Sequence, residues 1–237
     1  MYKRAAAYTL ILMALALPAQ AASSRQDDIR RIDTAAQIFD EIMSTPDHAI
    51  PLELLQSAEC IAIIPSEVKF AFVVGGNYGK GLVTCRNGRT WSGPFFLTVG
   101  GGSFGFQIGG SSTDFILVFR GRRGVTKLLS DKFKIGGDAS AAAGPVGRSA
   151  AASTDIEMHA EILTYSRSRG VFAGVSLSGA VVQPDDSGNE AMYTRSASAE
   201  DILSGKVPPP KEAEKLQRAV NLATGTVASA PAQKPAK

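Results

Sequence analysis

The chain has 237 residues, of which 44% are hydrophobic and 20% charged, and its formal net charge is +3. This length suits one large domain or two small ones, and so small a net charge excludes any argument about partners from global charge alone. The two cysteines, Cys60 and Cys85, are too few to build a thiolate metal site.

The first residues predict a targeting signal. Lys3 and Arg4 precede an apolar run over residues 5–17, and Ala19-Gln20-Ala21 matches an A-x-A cleavage site. The run is short for a bilayer span. We therefore expect a signal peptide over residues 1–21 and export to a periplasmic site or to the periphery of an envelope membrane. An uncleaved membrane anchor is the alternative.

An amphipathic helix is predicted over residues 25–44. Ile29, Ile32, Ala36 and Phe39 recur at helical spacing. This apolar face has two interpretations, packing into the core or contact with a membrane. The helix opens one predicted domain over residues 22–207, and the Pro-, Ala- and Lys-rich residues 208–237 are predicted to be a partly disordered tail.

Between these ends the pattern changes to short apolar runs separated by turn signals. Strands are predicted at 60–64, 69–75, 81–85, 90–91, 95–99, 104–108, 114–120, 157–165, 171–183 and 191–194, and helices at 52–57, 125–129, 199–203 and 212–222, the last of them exposed. Residues 76–79 are predicted to be a hairpin loop, Asn87-Gly88 a tight turn and residues 185–189 a polar turn. This order predicts an α+β fold, a curved antiparallel β-sheet or barrel-like core with flanking helices.

Cys60 and Cys85 flank apolar runs that are separated by one hairpin. Because exported thiols tend to be oxidised, we expect a Cys60–Cys85 disulfide. Two buried free thiols are the alternative.

Two motifs typical of catalysis lack the neighbouring residues or elements that their chemistry requires. Gly100-Gly-Gly-Ser-Phe-Gly105 matches a dinucleotide-binding pattern, but a strand-like alternation follows it instead of a helix. Gly174-Val-Ser-Leu-Ser178 resembles a nucleophile elbow without its last glycine. We therefore expect no enzyme, no cofactor and no metal.

Two polar residues stay open to a functional interpretation. His159 would share a strand face with Asp155, Glu157 and Glu161, as a metal or acid–base cluster or as a solvated face. Asp138, which follows two glycines, is interpreted as a turn residue that binds its own backbone.

Basic residues cluster in one stretch. Asp131 is the single acidic residue between 120 and 134. Six residues in this stretch are basic: Arg120, Arg122, Arg123, Lys127, Lys132 and Lys134. Such a patch suits an anionic partner, or it is a solvated edge protected from aggregation by its charge. The absence of basic–aromatic interleaving argues against nucleic acid.

Four glycine-punctuated phrases resemble the signature blocks of the SYLF-domain family. They are Ile61–Pro65, Gly75–Gly81, Lys132–Arg148 and Tyr165–Gly179, and the resemblance covers about residues 30–195. It implies lipid binding and no catalytic residues. Eukaryotic members join the domain to SH3 or other modules and bind phosphoinositides or actin, whereas bacterial members are exported. Export would exclude actin and phosphoinositides here.

The sequence therefore predicts non-enzymatic binding of anionic phospholipid at a bacterial envelope membrane through basic and apolar surface. The expected contact residues are Arg30, Arg31, Arg120, Arg122, Arg123, Lys127, Lys132, Lys134 and Arg148. The alternative is an envelope scaffold that binds a protein partner, and a third hypothesis is an enzyme that depends on His159 or Asp138.

Overall fold

The computed structural model of the chain describes residues 25–44, 50–65, 76–102, 113–130, 132–147, 159–168, 171–175, 177, 179–193 and 197–225. The helices are α1 (Arg25–Met43), α2 (Leu52–Gln56), α3 (Arg122–Leu128), α4 (Asp186–Met192), α5 (Ala199–Leu203) and α6 (Glu214–Ala223), with a 3-10 turn at Lys211–Ala213. The strands are β1 (Cys60–Ile64), β2 (Gly76–Asn87), β3 (Thr90–Trp91), β4 (Phe95–Gly102), β5 (Thr113–Phe119), β6 (Phe133–Lys134), β7 (Ala141–Ala143), β8 (Ile162–Ser168), β9 (Val171–Gly174) and β10 (Val181–Pro184).

One curled sheet organises these elements. Its strand order is β6-β10-β4-β2-β1-β5-β8-β7, with β3 paired to β2 and β9 paired to β8. The pairs are antiparallel except β7 with β8, which is parallel. The predicted α+β class with a curved sheet and flanking helices is confirmed.

The sheet is buried on both faces. Along β1, Ile61 and Ile63 point into a core shared with α1 and α6, while Cys60, Ala62 and Ile64 point into a second core inside the curl. A strand that is covered on both sides reads as a continuous apolar run. This explains why β1 and β5 are recognisable from sequence.

A short segment joins the two ends of the sheet. β6 and β7 lie at opposite ends of the strand order, yet only residues 135–140 separate them, and a chain of this length spans at most about 25 Å. Ile135 N–H donates to Ala180 O at 2.7 Å beside β10, and Ile162 N–H donates to Ser140 O at 3.0 Å beside β8. The sheet must therefore curl into a half-barrel.

Two of the phrases behind the family resemblance meet at Tyr165. This ring is fully buried on β8. A Cβ atom on Gly144 would lie 2.0 Å from the Tyr165 ring, and one on Gly174 would lie 2.0 Å from Gly144 O. Gly144 N–H and Val175 N–H both donate to Thr164 O, at 3.0 and 3.1 Å. The absence of side chains at the two glycines is what lets both phrases close on β8.

Helix α1 forms where it was predicted, but its apolar face belongs to the core. Ile32 and Phe39 have no exposed surface, and the helix packs against α6 and β2. The membrane interpretation of Phe39 is therefore wrong, because a fully buried side chain has no surface to offer a bilayer.

Disulfide formation follows from strand register. Cys60 and Cys85 are partners in the β1–β2 ladder, with Cα atoms 4.0 Å apart, and a disulfide bond joins them. The predicted pairing is present, and both residues are buried.

Three local predictions are wrong. Residues 76–79 are part of β2 and not a hairpin loop. The turn predicted at 185–189 is wrong, and so is the start of the strand predicted at 191–194, because Asp185 caps the N-terminus of α4, which runs on to Met192. The single strand predicted over 171–183 is two strands, β9 and β10, on different neighbours.

The predicted exposed helix over residues 212–222 is present but packed. Leu216 and Val220 on α6 are fully buried in the core with α1. Trp91 Nε1–H donates to Thr224 Oγ1 at 3.2 Å, and Gln217 Nε2–H donates to Trp91 O at 2.8 Å. The prediction of exposure missed this because the residues that receive α6 lie more than 120 positions earlier in the chain.

Gln217→Ala is expected to lower the free energy of unfolding by about 1 kcal/mol, since it removes a half-buried side-chain hydrogen bond. Chemical denaturation measures this. Arg218→Ala, at the neighbouring exposed position, is the control and should change stability by less than about 0.5 kcal/mol. Equal effects of the two substitutions would contradict the docked position of α6.

Several predicted features lie outside the described residues. They are the signal peptide at 1–21, the strands at 69–75 and 104–108, and the tail beyond residue 225.

Candidate functional site

The basic stretch forms a bend at the end of the sheet. Lys127 is half-buried in the last turn of α3, and Lys132 and Lys134 are exposed on either side of buried Phe133 at the entry to β6. Alternation along β6 places Phe133 inward and its two lysine neighbours outward. The bend therefore presents three ammonium groups above an apolar interior.

Ser130 holds the bend closed. Its hydroxyl donates to Lys127 O at 2.6 Å and lies 3.4 Å from Lys132 O. The Ser130 hydroxyl therefore contacts the backbone carbonyl groups of both basic residues.

Asp138 stabilises the turn after Lys134. Its carboxylate accepts from Lys134 N–H at 2.7 Å, while its own N–H donates to Lys134 O at 2.8 Å. Gly136 within this turn has a φ of +78°, which favours glycine. The interpretation of Asp138 as a turn residue is confirmed.

The three lysines differ from the arginines of α1 in their pairing. No ion pair among the described residues involves Lys127, Lys132 or Lys134. Arg30, by contrast, pairs with Asp27 one turn earlier. Arg30 is exposed, but its charge is already balanced by that carboxylate.

Arg31 is not a surface residue. It is 9% exposed and pairs with Asp28 and Asp185, each at 2.9 Å. Its guanidinium carbon lies 5.2 Å from the centre of the Phe96 ring. Its expected role as a lipid contact is wrong because its charge is buried and neutralised inside the fold.

Sequence reasoning missed the residue that organises this buried cluster, Asp185. Besides Arg31, it accepts from Lys80 at 3.0 Å and Ser187 at 2.8 Å. Burial raises the pKa of Asp185, but the hydrogen bonds from Lys80, Ser187 and Arg31 outweigh burial, so the pKa lies below its ordinary value. The only signal in the sequence was an acidic residue beside a polar turn.

Four predicted contacts remain, Arg120, Arg122, Arg123 and Arg148. Arg120 is half-buried directly after β5, and its N–H donates to Glu161 O at 2.8 Å. Arg122 and Arg123 begin α3, but their side chains and all of Arg148 lie outside the described residues.

An apolar notch opens beside the basic bend. It is a shallow notch between β4, β6, β10 and the end of α3, with an interior volume of about 10 Å³, room for about one water molecule. The lining residues are Phe95, Leu97, Leu128, Ser130, Phe133, Val182, Gln183 and Pro184. Its floor belongs to the core inside the curl.

The possible cluster around His159 does not assemble in the described part of the chain. Glu161 accepts from Ser140 N–H at 3.1 Å and so serves the closing segment of the sheet. Asp155 and Glu157 lie outside the described residues, and no group of three or more potential ligands for a metal occurs among the residues that are described.

A family model decides the relationship of the chain. The model described as Ysc84, Las17-binding protein actin regulator, matches residues 100–223. The chain belongs to this family. The resemblance to the SYLF-domain family is thereby confirmed.

Curated relatives agree with this placement. The chain is 32% identical over 199 residues to human SH3 domain-containing YSC84-like protein 1, covering 82% of this chain and 58% of that protein. It is 35% identical over 177 residues to LAS seventeen-binding protein 3 of Saccharomyces cerevisiae, covering 73% and 38%. An SH3 domain-containing protein of Schizosaccharomyces pombe is 35% identical over 176 residues, covering 73% and 41%.

These relatives correct the predicted location, because they are yeast and mammalian proteins. The prediction of an exported protein of a bacterial envelope is therefore wrong. The exclusion of actin and phosphoinositides depended on export and no longer holds. The chain also spans between about two fifths and three fifths of the length of these relatives. Their names describe SH3 domains and Las17 binding and state no enzymatic activity.

None of the described helices has both the length and the apolarity that crossing a bilayer requires.

Proposed function

We propose that this chain is a non-enzymatic module that binds anionic phospholipid surfaces through the basic bend of Lys127, Lys132 and Lys134. The observation that supports it is the pairing of charges. These three lysines have no carboxylate partner among the described residues, whereas Arg30 pairs with one carboxylate and Arg31 with two. Arg120, Arg122, Arg123 and Arg148 extend the proposed surface on sequence grounds.

The electrostatics of a bilayer suit such a bend. Each lysine or arginine near an anionic membrane contributes about 1 kcal/mol of attraction, within a Debye length of the surface. Three lysines therefore supply about 3 kcal/mol, enough for reversible binding and not for permanent anchoring.

Replacement of all three lysines by glutamine tests this function. Vesicles of phosphatidylcholine with about 30 mol% phosphatidylserine should bind the unaltered chain at low salt, and the triple variant should bind roughly 100-fold more weakly. Co-sedimentation gives both affinities. The matched control is Lys206→Gln combined with Lys211→Gln and Lys215→Gln, three exposed lysines elsewhere on the molecule.

Equal loss in the two triple variants would contradict a dedicated basic bend, because it would mean that only net charge matters. An absence of binding to these vesicles at low salt would overturn the lipid function itself. Binding by the unaltered chain should also weaken steeply as salt is added, since exposed charges are screened.

A protein-binding module is the second candidate, favoured by the description of the family as Las17-binding. A stable complex between the purified chain and Las17, seen by size-exclusion chromatography without lipid, would support it. The lysine variants then show whether the same bend is used.

A further inference from the structure

Three consecutive prolines, Pro208, Pro209 and Pro210, connect α5 to the 3-10 turn that precedes α6. Each ring fixes its own φ near about −65°, and each proline also drives the residue before it into an extended conformation. Pro210 shows the result, with a φ of −64° and a ψ of 149°. These are the angles of a polyproline II helix, which has three residues per turn. Residues 207–210 therefore make about one turn of such a helix.

The fold holds this turn at both ends and in the middle. Val207 N–H donates to Asp201 O at 3.1 Å, and Pro210 O accepts from the 3-10 turn at 2.9 Å. Between them, a Cβ atom on Gly93 would lie 3.2 Å from Pro209 Cα, so the turn packs closely on the backbone before β4. A partner that binds here does not have to order a free peptide, because folding has already fixed its conformation.

The exposed face of the turn is apolar and rich in hydrogen-bond acceptors. Val207 and Pro210, one turn apart, are half-buried, whereas Pro208 and Pro209 between them are exposed. No hydrogen bond from a described residue reaches the carbonyl oxygens of residues 207–209, and prolines have no N–H to donate. This face is therefore complementary to aromatic side chains that carry a donor, such as tryptophan N–H and tyrosine O–H.

Cations continue from the last proline along α6. Lys211, Lys215 and Arg218 are exposed, and none of them forms an ion pair with a residue that the structure describes. Side chains at spacings of four and three residues share one face of a helix. A partner that docks on the prolines should therefore carry carboxylates beside its aromatic groove.

We propose that Pro208 and Pro209 are a docking site for a WW-type domain, whose aromatic groove takes two adjacent residues of a polyproline II segment and whose neighbouring carboxylates meet Lys211 and Lys215. An SH3 domain reads prolines three residues apart. This run is too short for that spacing, because the residue three positions after Pro208 is Lys211, which begins the 3-10 turn. The site uses no residue of the basic bend and goes beyond the membrane function.

Titration of the isotope-labelled, unaltered chain with a purified WW domain that binds proline runs followed by a basic residue is the primary test. Chemical shifts should change around residues 206–211 and at Gly93, and should saturate. An SH3 domain titrated in parallel should bind more weakly. No binding of the WW domain, or shift changes confined to other parts of the chain, would overturn the proposal. Tighter binding of the SH3 domain would overturn the choice of partner.

Two sets of substitutions separate the prolines from the cations. Pro208→Ala combined with Pro209→Ala should weaken binding of the WW domain roughly tenfold or more, as does loss of a central contact in an interface. Pro51→Ala, at the start of α2, is the control and should leave the affinity unchanged. Lys211→Gln combined with Lys215→Gln should weaken binding several-fold at low salt and less at high salt, since exposed charges are screened. If the double proline variant does not fold, the lysine pair decides, and an unchanged affinity would contradict the proposal.

The basic bend provides a test of independence. Replacement of Lys127, Lys132 and Lys134 by glutamine should leave binding of the WW domain unchanged. Loss of that binding would show that the proline turn is not the site. Failure of vesicle binding overturns the membrane function and leaves this docking site intact, whereas failure of the WW titration has the opposite consequence.

Discussion

Gly144→Ala is expected to lower the free energy of unfolding by roughly 3 kcal/mol or more, among the largest effects of any single methyl group in this chain. The added Cβ would lie 2.0 Å from the Tyr165 ring, with two further ring atoms at 2.4 and 2.5 Å. Tyr165 is fully buried and has no room to withdraw, so the backbone of β7 or β8 has to move. Urea denaturation measures the loss.

Gly137→Ala is the matched control. A Cβ there meets only the Lys134 side chain, at 3.4 Å or more, and a flexible exposed side chain can give way. It should change stability by less than about 1 kcal/mol.

A double substitution identifies the clash. Tyr165→Leu costs stability by itself because it leaves a cavity, but it should cost clearly less when Gly144 is already alanine, since the ring that clashes is then absent. Strict additivity of the two changes would show that the ring is not the cause, and so would equal stability of the Gly144 and Gly137 variants.

Part of the fold could be predicted from the sequence because some of its signals are local. Strands such as β1 and β5 are continuous apolar runs because both sheet faces are covered, and the Asn87-Gly88 turn has its positive φ at Gly88, +62°. Such local signals depend on neighbours in the chain. The phrases around Gly144 and Gly174 were recognisable as a family signature, but their reason, close approach to Tyr165, is visible only in three dimensions.

The wrong local predictions arose where contacts between residues distant in the sequence determine the structure. Gly79 was interpreted as a loop residue, whereas it lies in β2, where a Cβ atom would meet the Ile64 side chain at 3.0 Å. The residues after Asp185 look like a turn by composition, and they become α4 because Asp185 caps it and is itself held by Arg31, which lies 154 positions earlier. Contacts across such separations override local composition.

The candidate site was located by charge density and corrected by burial. Lys127, Lys132 and Lys134 stand where a basic run predicts an exposed patch, but nothing in the chain distinguishes Arg31 from Arg30 except helical phase. One position along α1 moves the side chain from solvent to the core. The notch was missed entirely, because it depends on where β6 begins relative to β10.

Asp185→Asn is expected to lower the free energy of unfolding by about 3 kcal/mol at neutral pH. Asparagine keeps the shape and the capping acceptor of α4, so the substitution removes mainly the charge. Arg31 and Lys80 would then share too little negative charge in a site that is almost closed to water. Leaving a buried charge unbalanced is the costly outcome, far more than the intact pair contributes.

Acid should erase this difference. The pKa of Asp185 is lower in the folded protein than in the unfolded chain. In an unfolded chain the pKa of an aspartate is about 4. The stability it contributes is therefore complete above that unfolded pKa and is lost as pH falls through the folded pKa. Urea midpoints of the two proteins should differ widely at pH 7 and converge as the pH falls through the folded pKa of Asp185.

Asp186→Asn is the control, because Asp186 is exposed at the adjacent position and should cost less than about 1 kcal/mol through the helix dipole alone. A gap between the Asp185 variant and the unaltered chain that stays constant from pH 7 to pH 3 would show that geometry, not charge, is what Asp185 provides. Convergence would mean that a salt-bridge cluster fastens α1 to the sheet. The residue first assigned to a membrane, Arg31, would then be a stabilising residue of the fold.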